Sequence, residues 1–174
     1  MAEKTTVKSL DDYISDDFNM NKKVTVKNLA DWNVGFPNIA SRGDTRIAPT
    51  AKSLVSREEL FEQINAGNKL LVGTDSFGSH ATLYIEDEPT RKYVGFDSDE
   101  EKRQQNVITD EKIKSWFELK TQAAFEKNIR ENVVTRAEKT YLLKAINRLK
   151  LNEHDKIAFC QEWCKFRLVY RRGE

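Results

Sequence analysis

Apolar positions change their rhythm several times along the chain, and each change marks a different kind of element. Residues 1–22 scatter Tyr13, Ile14, Phe18 and Met20 among acids such as Asp11, Asp12, Asp16 and Asp17. No period lets them bury a common face, so they read as an extended arm. From Val24 the period becomes two. Val24 and Val26 alternate with Thr25 and Lys27, and Trp32, Val34 and Phe36 continue a half-buried strand pattern as far as Pro37. Ser41-Arg42-Gly43-Asp44 is a turn signal, with a short strand expected over 45–48. Ser56-Arg57-Glu58-Glu59 has the form of a capping box, Ser56 capping the amide of Glu59 and Glu59 reaching back. Leu60, Phe61 and Ile64 share a helical face behind it, and Gly67 is placed to end that helix. Residues 69–72 and 81–85 read as two strands joined by a loop with two glycines, and Pro89 opens a helical turn ending at Gly95.

Residues 97–106 carry no apolar side chain and read as a linker or exposed spacer. Beyond them the period turns helical. Thr109 caps a helix carrying Ile113, Trp116, Phe117, Ala124 and Ile129. Thr135-Arg136-Ala137-Glu138 is a second capping box, leading into Leu142, Ala145, Ile146 and Leu149. Asn152 caps a third helix with Ile157, Cys160, Trp163 and Cys164 facing inward. The expected architecture is α+β. An arm (1–22) precedes a small β-rich domain with one helix (23–96), built as a sheet or an SH3-like barrel. A polar linker (97–108) then leads to a three-helix bundle with a C-terminal tail (109–174).

Composition agrees that the chain folds: 39% of its 174 residues are hydrophobic and 10% aromatic, enough large side chains for a core. No apolar run approaches the ~20 residues of a membrane span, and the N-terminus lacks the apolar stretch of a signal peptide, so a soluble protein made in the cytoplasm is expected. The net charge of +1 hides an asymmetry. Residues 110–174 hold 15 Lys or Arg against 10 Asp or Glu, whereas residues 1–109 hold 14 against 18. Such a difference permits an anion-facing C-terminal surface or head-to-tail contact between copies.

Candidate chemistry is sparse. Asp75, Ser79 and His80 are the right types for a catalytic triad, yet neighbours on a strand point to opposite faces, and their expected work is to satisfy their own loop backbone. An enzyme would need a pocket joining Asp75 and His80 to acids distant in sequence. Gly73 and Gly78 lack the surroundings of a phosphate cradle. Cys160 and Cys164, with only His80 and His154 elsewhere, give no metal-ligand spacing and read as buried thiols. No catalytic residue, cofactor, metal or small-molecule substrate is expected.

Two surfaces are candidates for partners. One is apolar: Tyr13, Ile14, Phe18 and Met20 in the arm, with Phe166, Val169 and Tyr170 in a tail whose weak alternation suits strand addition to a neighbouring domain or chain. The other is basic: Lys144, Arg148, Lys150, Arg171 and Arg172 are candidate nucleic-acid or anion contacts on a three-helix unit of the general form of helix-turn-helix readers. Glu138, Glu153, Asp155 and Glu162 dilute that face.

The run Gly73-Thr74-Asp75-Ser76-Phe77-Gly78-Ser79-His80-Ala81-Thr82-Leu83-Tyr84-Ile85-Glu86-Asp87, with Pro89-Thr90-Arg91 and Gly95-Phe96 after it, resembles small proteins of tailed-bacteriophage structural gene cassettes over roughly residues 28–96. The resemblance implies a virion component, capsid-associated or at the head–tail junction, and no catalytic residues. The leading expectation is therefore a non-enzymatic structural or interaction protein that docks on other chains, copies of itself included. The alternative is a nucleic-acid-binding regulator using the basic helices.

Overall fold

The computed structural model describes residues 18–165. Within them lie two small antiparallel sheets and seven helices, an α+β arrangement. The first sheet is built around β1 (Lys23–Asn28), whose alternate residues Val24, Val26 and Asn28 are buried. The second is a hairpin of β2 (Val34–Pro37) and β3 (Asp44–Ile47), burying Val34, Phe36 and Ile47. Next in sequence, β4 (Lys52–Ser56) pairs with one side of β1, and β5 (Leu83–Ile85) with the other. The hairpin pairs with neither, so no barrel closes among the described strands.

Helix α1 (Arg57–Asn65) starts where expected, with the Ser56 hydroxyl accepting from the Glu59 amide. Its first two amides are also satisfied, because Arg57 N–H donates to the Lys22 carbonyl and Glu58 N–H to that of Met20. The base of the arm thus caps the helix. The expected strand over 69–72 is instead the short helix α2 (Lys69–Val72): Asn68 caps it through the Leu70 amide and Gly73 ends it at positive φ. The expected turn after Pro89 is α3 (Glu88–Tyr93), capped by Asp87, with Gly95 at positive φ beyond it.

Four helices stand where three were expected. Residues 109–132 form α4 (Asp110–Phe117) and α5 (Gln122–Asn132), each with its own threonine cap, Thr109 and Thr121. A lysine distant in sequence secures the break between them. Lys156, buried, donates from Nζ to the carbonyls of Phe117 and Leu119 and satisfies the end of α4 that the interruption leaves open. Helix α6 (Arg136–Arg148) begins with the capping box of Thr135 and Glu138. Helix α7 (His154–Trp163) has Glu153, not Asn152, at its N-cap, without a side-chain bond. No described helix is long and apolar enough to cross a membrane.

Two hydrophobic clusters result, and each borrows from the other. The helical cluster, centred on Ile113, Phe125, Ile129 and Leu142, takes in Leu29 from just after β1. The sheet cluster, centred on Val26, Leu60, Leu83 and Phe96, takes in Ala137 from α6. The polar stretch after Phe96 is tied to its surroundings: Asp97 accepts from Arg91 and from the Gln105 amide, while Val107 and Ile108 enter the helical cluster. Gln105 in turn donates to the Gly78 carbonyl. Gly78 has φ +78°, and a Cβ there would lie 2.7 Å from the Phe96 ring, so the loop closes only on glycine.

Candidate functional site

A polar cluster sits where the two halves of the chain meet. Asp75 turns the loop after α2 by accepting from the amides of Phe77 and Ser79. Burial alone would raise its pKa, and these bonds together with the Ser79 side chain outweigh it, holding the carboxyl below its ordinary value. The Ser79 hydroxyl accepts from the Asn106 amide, and His80 N–H donates to the Asn106 carbonyl. His80 itself has φ +58°, a left-handed conformation that turns its ring toward α6. There Nδ1 lies 2.8 and 3.0 Å from the two oxygens of Glu138, a residue only 2% exposed.

His80 therefore meets an acid 58 positions away, while Asp75 is occupied by its own loop. A histidine oriented by a buried carboxylate is half of a nucleophile-activating arrangement. The other half would be a hydroxyl or thiol on Nε2, and among the described residues none forms that hydrogen bond. Glu138 has further tasks, accepting from the amide and hydroxyl of Thr135. Beside it Lys112 donates to Asn106 Oδ1 and the Val107 carbonyl, and Asn106 donates to Asn132. The cluster joins the loop before β5 to α4, α5 and α6, as a latch does.

A second buried carboxylate does comparable work. Glu59 is 2% exposed and does not complete its box with Ser56; its oxygens accept from the amides of Ile39 and Ala40 at 2.7 and 2.8 Å, and from Gln63. Burial raises its pKa, but Gln63 and the backbone N–H groups of Ile39, Ala40 and Ser41 prevail, leaving it below the ordinary 4.5. Because the folded value is depressed, the stabilisation is complete above the ordinary value and disappears as pH falls through the folded one. Glu59→Gln is expected to lose about 2 kcal/mol at pH 7, as for charge-assisted hydrogen bonds. The gap from the parent chain should narrow on acidification, as urea denaturation at pH 7 and pH 3 would show.

Several residues singled out from sequence have partners inside the molecule. Phe18 stacks on Tyr93 with centroids 4.4 Å apart, and the Arg57 guanidinium lies 4.1 Å from its ring centre. Met20 is half-buried at the start of α1. Of the basic set, Lys144 pairs with Asp31, while Arg148 pairs with Asp110 and approaches the Tyr141 ring. Lys150 is exposed in the turn after α6. Tyr13, Ile14, Phe166, Val169, Tyr170, Arg171 and Arg172 lie outside the described residues. Cys160 and Cys164 are buried thiols, and burial pushes them up to about 12 and about 11.

Sequence reasoning missed two surfaces. The first is the free side of β4, with Leu54 63% exposed; the alternation Lys52-Ser53-Leu54-Val55-Ser56 carries that signal. The second joins α5, α6 and α7: Phe159 and Trp163 stack within 9° of parallel, Arg130 lies over Phe159, and Lys139 over Trp163. No protein-family model, curated protein or solved structure matches the chain.

Proposed function

We propose that this chain is a non-enzymatic interaction protein of a larger assembly, docking on other protein chains; following the resemblance noted above, the assembly is a tailed-phage virion. The observation that carries this reading is the free side of β4, where an exposed leucine accompanies backbone groups that no described residue pairs. An edge of that kind is a template for another strand. The polar side chains best suited to chemistry are meanwhile engaged within the fold: His80 with Glu138, Arg57 with Asp87, and Asp110 with Tyr141 and Arg148.

A nucleic-acid reading has one observation in its favour, the stacked Phe159 and Trp163 flanked by Arg130 and Lys139, because aromatic rings beside cations suit unpaired bases. It ranks second: Glu126 pairs with Arg130, and acids hold both Lys144 and Arg148. Light scattering on the full chain from ~50 to ~500 mM salt tests the assembly reading, since surface charge contacts weaken over that range. Discrete oligomers are the expected result. A single-chain species at every concentration and salt would overturn it.

A further inference from the structure

We infer that the free edge of β4 in one copy receives residues 166–170 of a second copy as an added strand, so that copies join head to tail. The inference rests on the assembly reading and names the partner. Register decides which groups are available. Arg57 N–H bonds the Lys22 carbonyl at one end of the β1–β4 ladder, and Asn28 N–H bonds the Ala51 carbonyl at the other. With Val24 opposite Val55 and Val26 opposite Ser53, residues 53 and 55 direct their backbone groups at β1. The amides and carbonyls of Lys52 and Leu54 therefore point away from the sheet, and no described residue bonds them. Leu54 is the most exposed large apolar side chain among the described residues.

The occupant follows from what lies beyond Lys165. Phe166, Leu168 and Tyr170 alternate with Arg167, Val169 and Arg171, a pattern that places an apolar row beside Leu54 or over the sheet cluster. Nine residues follow Lys165, a reach of up to about 30 Å, whereas five suffice to match β4. Charge agrees as well. Glu58, exposed just after β4, sets a carboxylate at one end of the edge, and the tail brings Arg167, Arg171 and Arg172. The excess of acid before residue 110 and of base after it has the same sense.

Geometry favours a second copy over the chain's own tail. Tyr84 of β5 packs against the helical cluster, whereas β4 is at the other edge of the sheet, beyond β1. A tail and an edge at different places on one subunit make a heterologous contact, which builds rings or filaments.

Two full-length variants test this, each disabling one half of the contact. Leu54→Glu places a charge on the edge without touching the β1 ladder, and Leu168→Pro removes a backbone donor from the tail. The parent chain is expected to exceed its single-chain mass of 20.2 kDa with rising concentration. Each variant alone should associate at least about tenfold more weakly, a difference of ~1.4 kcal/mol. Mixed in equal amounts they should form a complex of two chains and no larger, because the intact tail of one meets the intact edge of the other. Circular dichroism matching the parent shows that both variants fold. Oligomers that persist unchanged in both variants would overturn the strand-addition model and leave the assembly reading standing. A parent chain that stays single up to ~100 μM, short of even a weak association, would overturn both.

Discussion

Asn28→Asp, the exchange of one amide nitrogen for oxygen, is expected to be among the most damaging single substitutions in the chain. Asn28 is wholly buried at the end of β1. Its Nδ2 donates to the carbonyls of Trp32 at 2.8 Å and of Ile47 and Ala48 at 3.1 Å, and its Oδ1 accepts from the Ala30 amide. One side chain thus fixes the turn after β1 to the end of β3. An aspartate would aim a carboxylate at three carbonyls and withdraw the Nδ2 donor from each, leaving Ala48 only the amide of Ala51. At about 1–3 kcal/mol for each buried group stranded, the loss at pH 7 comes to about 4 kcal/mol. That is a large part of the 5–15 kcal/mol typical of a whole domain. Asn28→Leu, which strands the same groups without the charge, should cost somewhat less. Urea midpoints of both variants at pH 7 and pH 4 check the assignment: acid should relieve only the aspartate, by protonating it.

Arg57→Met is expected to cost about 3 kcal/mol, because it leaves a partly buried carboxylate with only the exposed Lys22, 4.0 Å away, for a cation. The Arg57 residue is 5% exposed; its Nη2 lies 2.8 Å from Asp87 and its Nε donates to the Thr90 hydroxyl. The same guanidinium covers Phe18, so one residue links the arm, α1 and α3. Burial raises the pKa of Asp87, but the Thr90 hydroxyl and then Arg57 bring it below its ordinary value. The stabilisation is therefore present at neutral pH and is lost as pH falls through the folded-state value. Asp87→Asn in the Arg57→Met background should recover part of the loss, since it removes a charge that has lost its close partner. A double-mutant cycle by urea denaturation measures that coupling. Equal losses in the single and double variants would mean that the ion pair contributes little beyond packing.

Local signals were legible in the sequence, and distant ones were not. Ser56 and Thr135 announce helix starts through chemistry confined to four residues, and both helices start there. Even so, the second half of the Ser56 box fails, because the backbone amides of Ile39 and Ala40 claim Glu59 from 20 and 19 positions away. Residues 69–72 are too short and apolar for period to decide, and the Asn68 cap tips them into a helix. The break at 118–121 keeps the apolar phase of Ile113, Phe117, Phe125 and Ile129, so the pattern runs through it unmarked. Only Lys156, far along the chain, shows where the carbonyls are released. The basic face had a similar fate: Lys144 and Arg148 are helical and exposed as read, while their partners Asp31 and Asp110 come from remote segments. Glu138 was legible as a cap, and its bond to His80 was not.

The position of β1 at the middle of its sheet also bears on synthesis. The strand is complete at Asn28, yet its second neighbour ends at Ile85, and Leu29 fits into a cluster drawn from residues 107–164. A ribosome adding roughly 5–20 residues per second needs on the order of 3–10 s to travel from the first strand to the last. Throughout that interval the cover of Val24 and Val26 is incomplete, since Leu83 and Ile85 of the same cluster come last. The growing chain thus passes through a stage at which the central strand of its sheet, the first of the described strands to be made, still lacks one neighbour, and a chaperone bound there would act before the molecule has a fold to recognise.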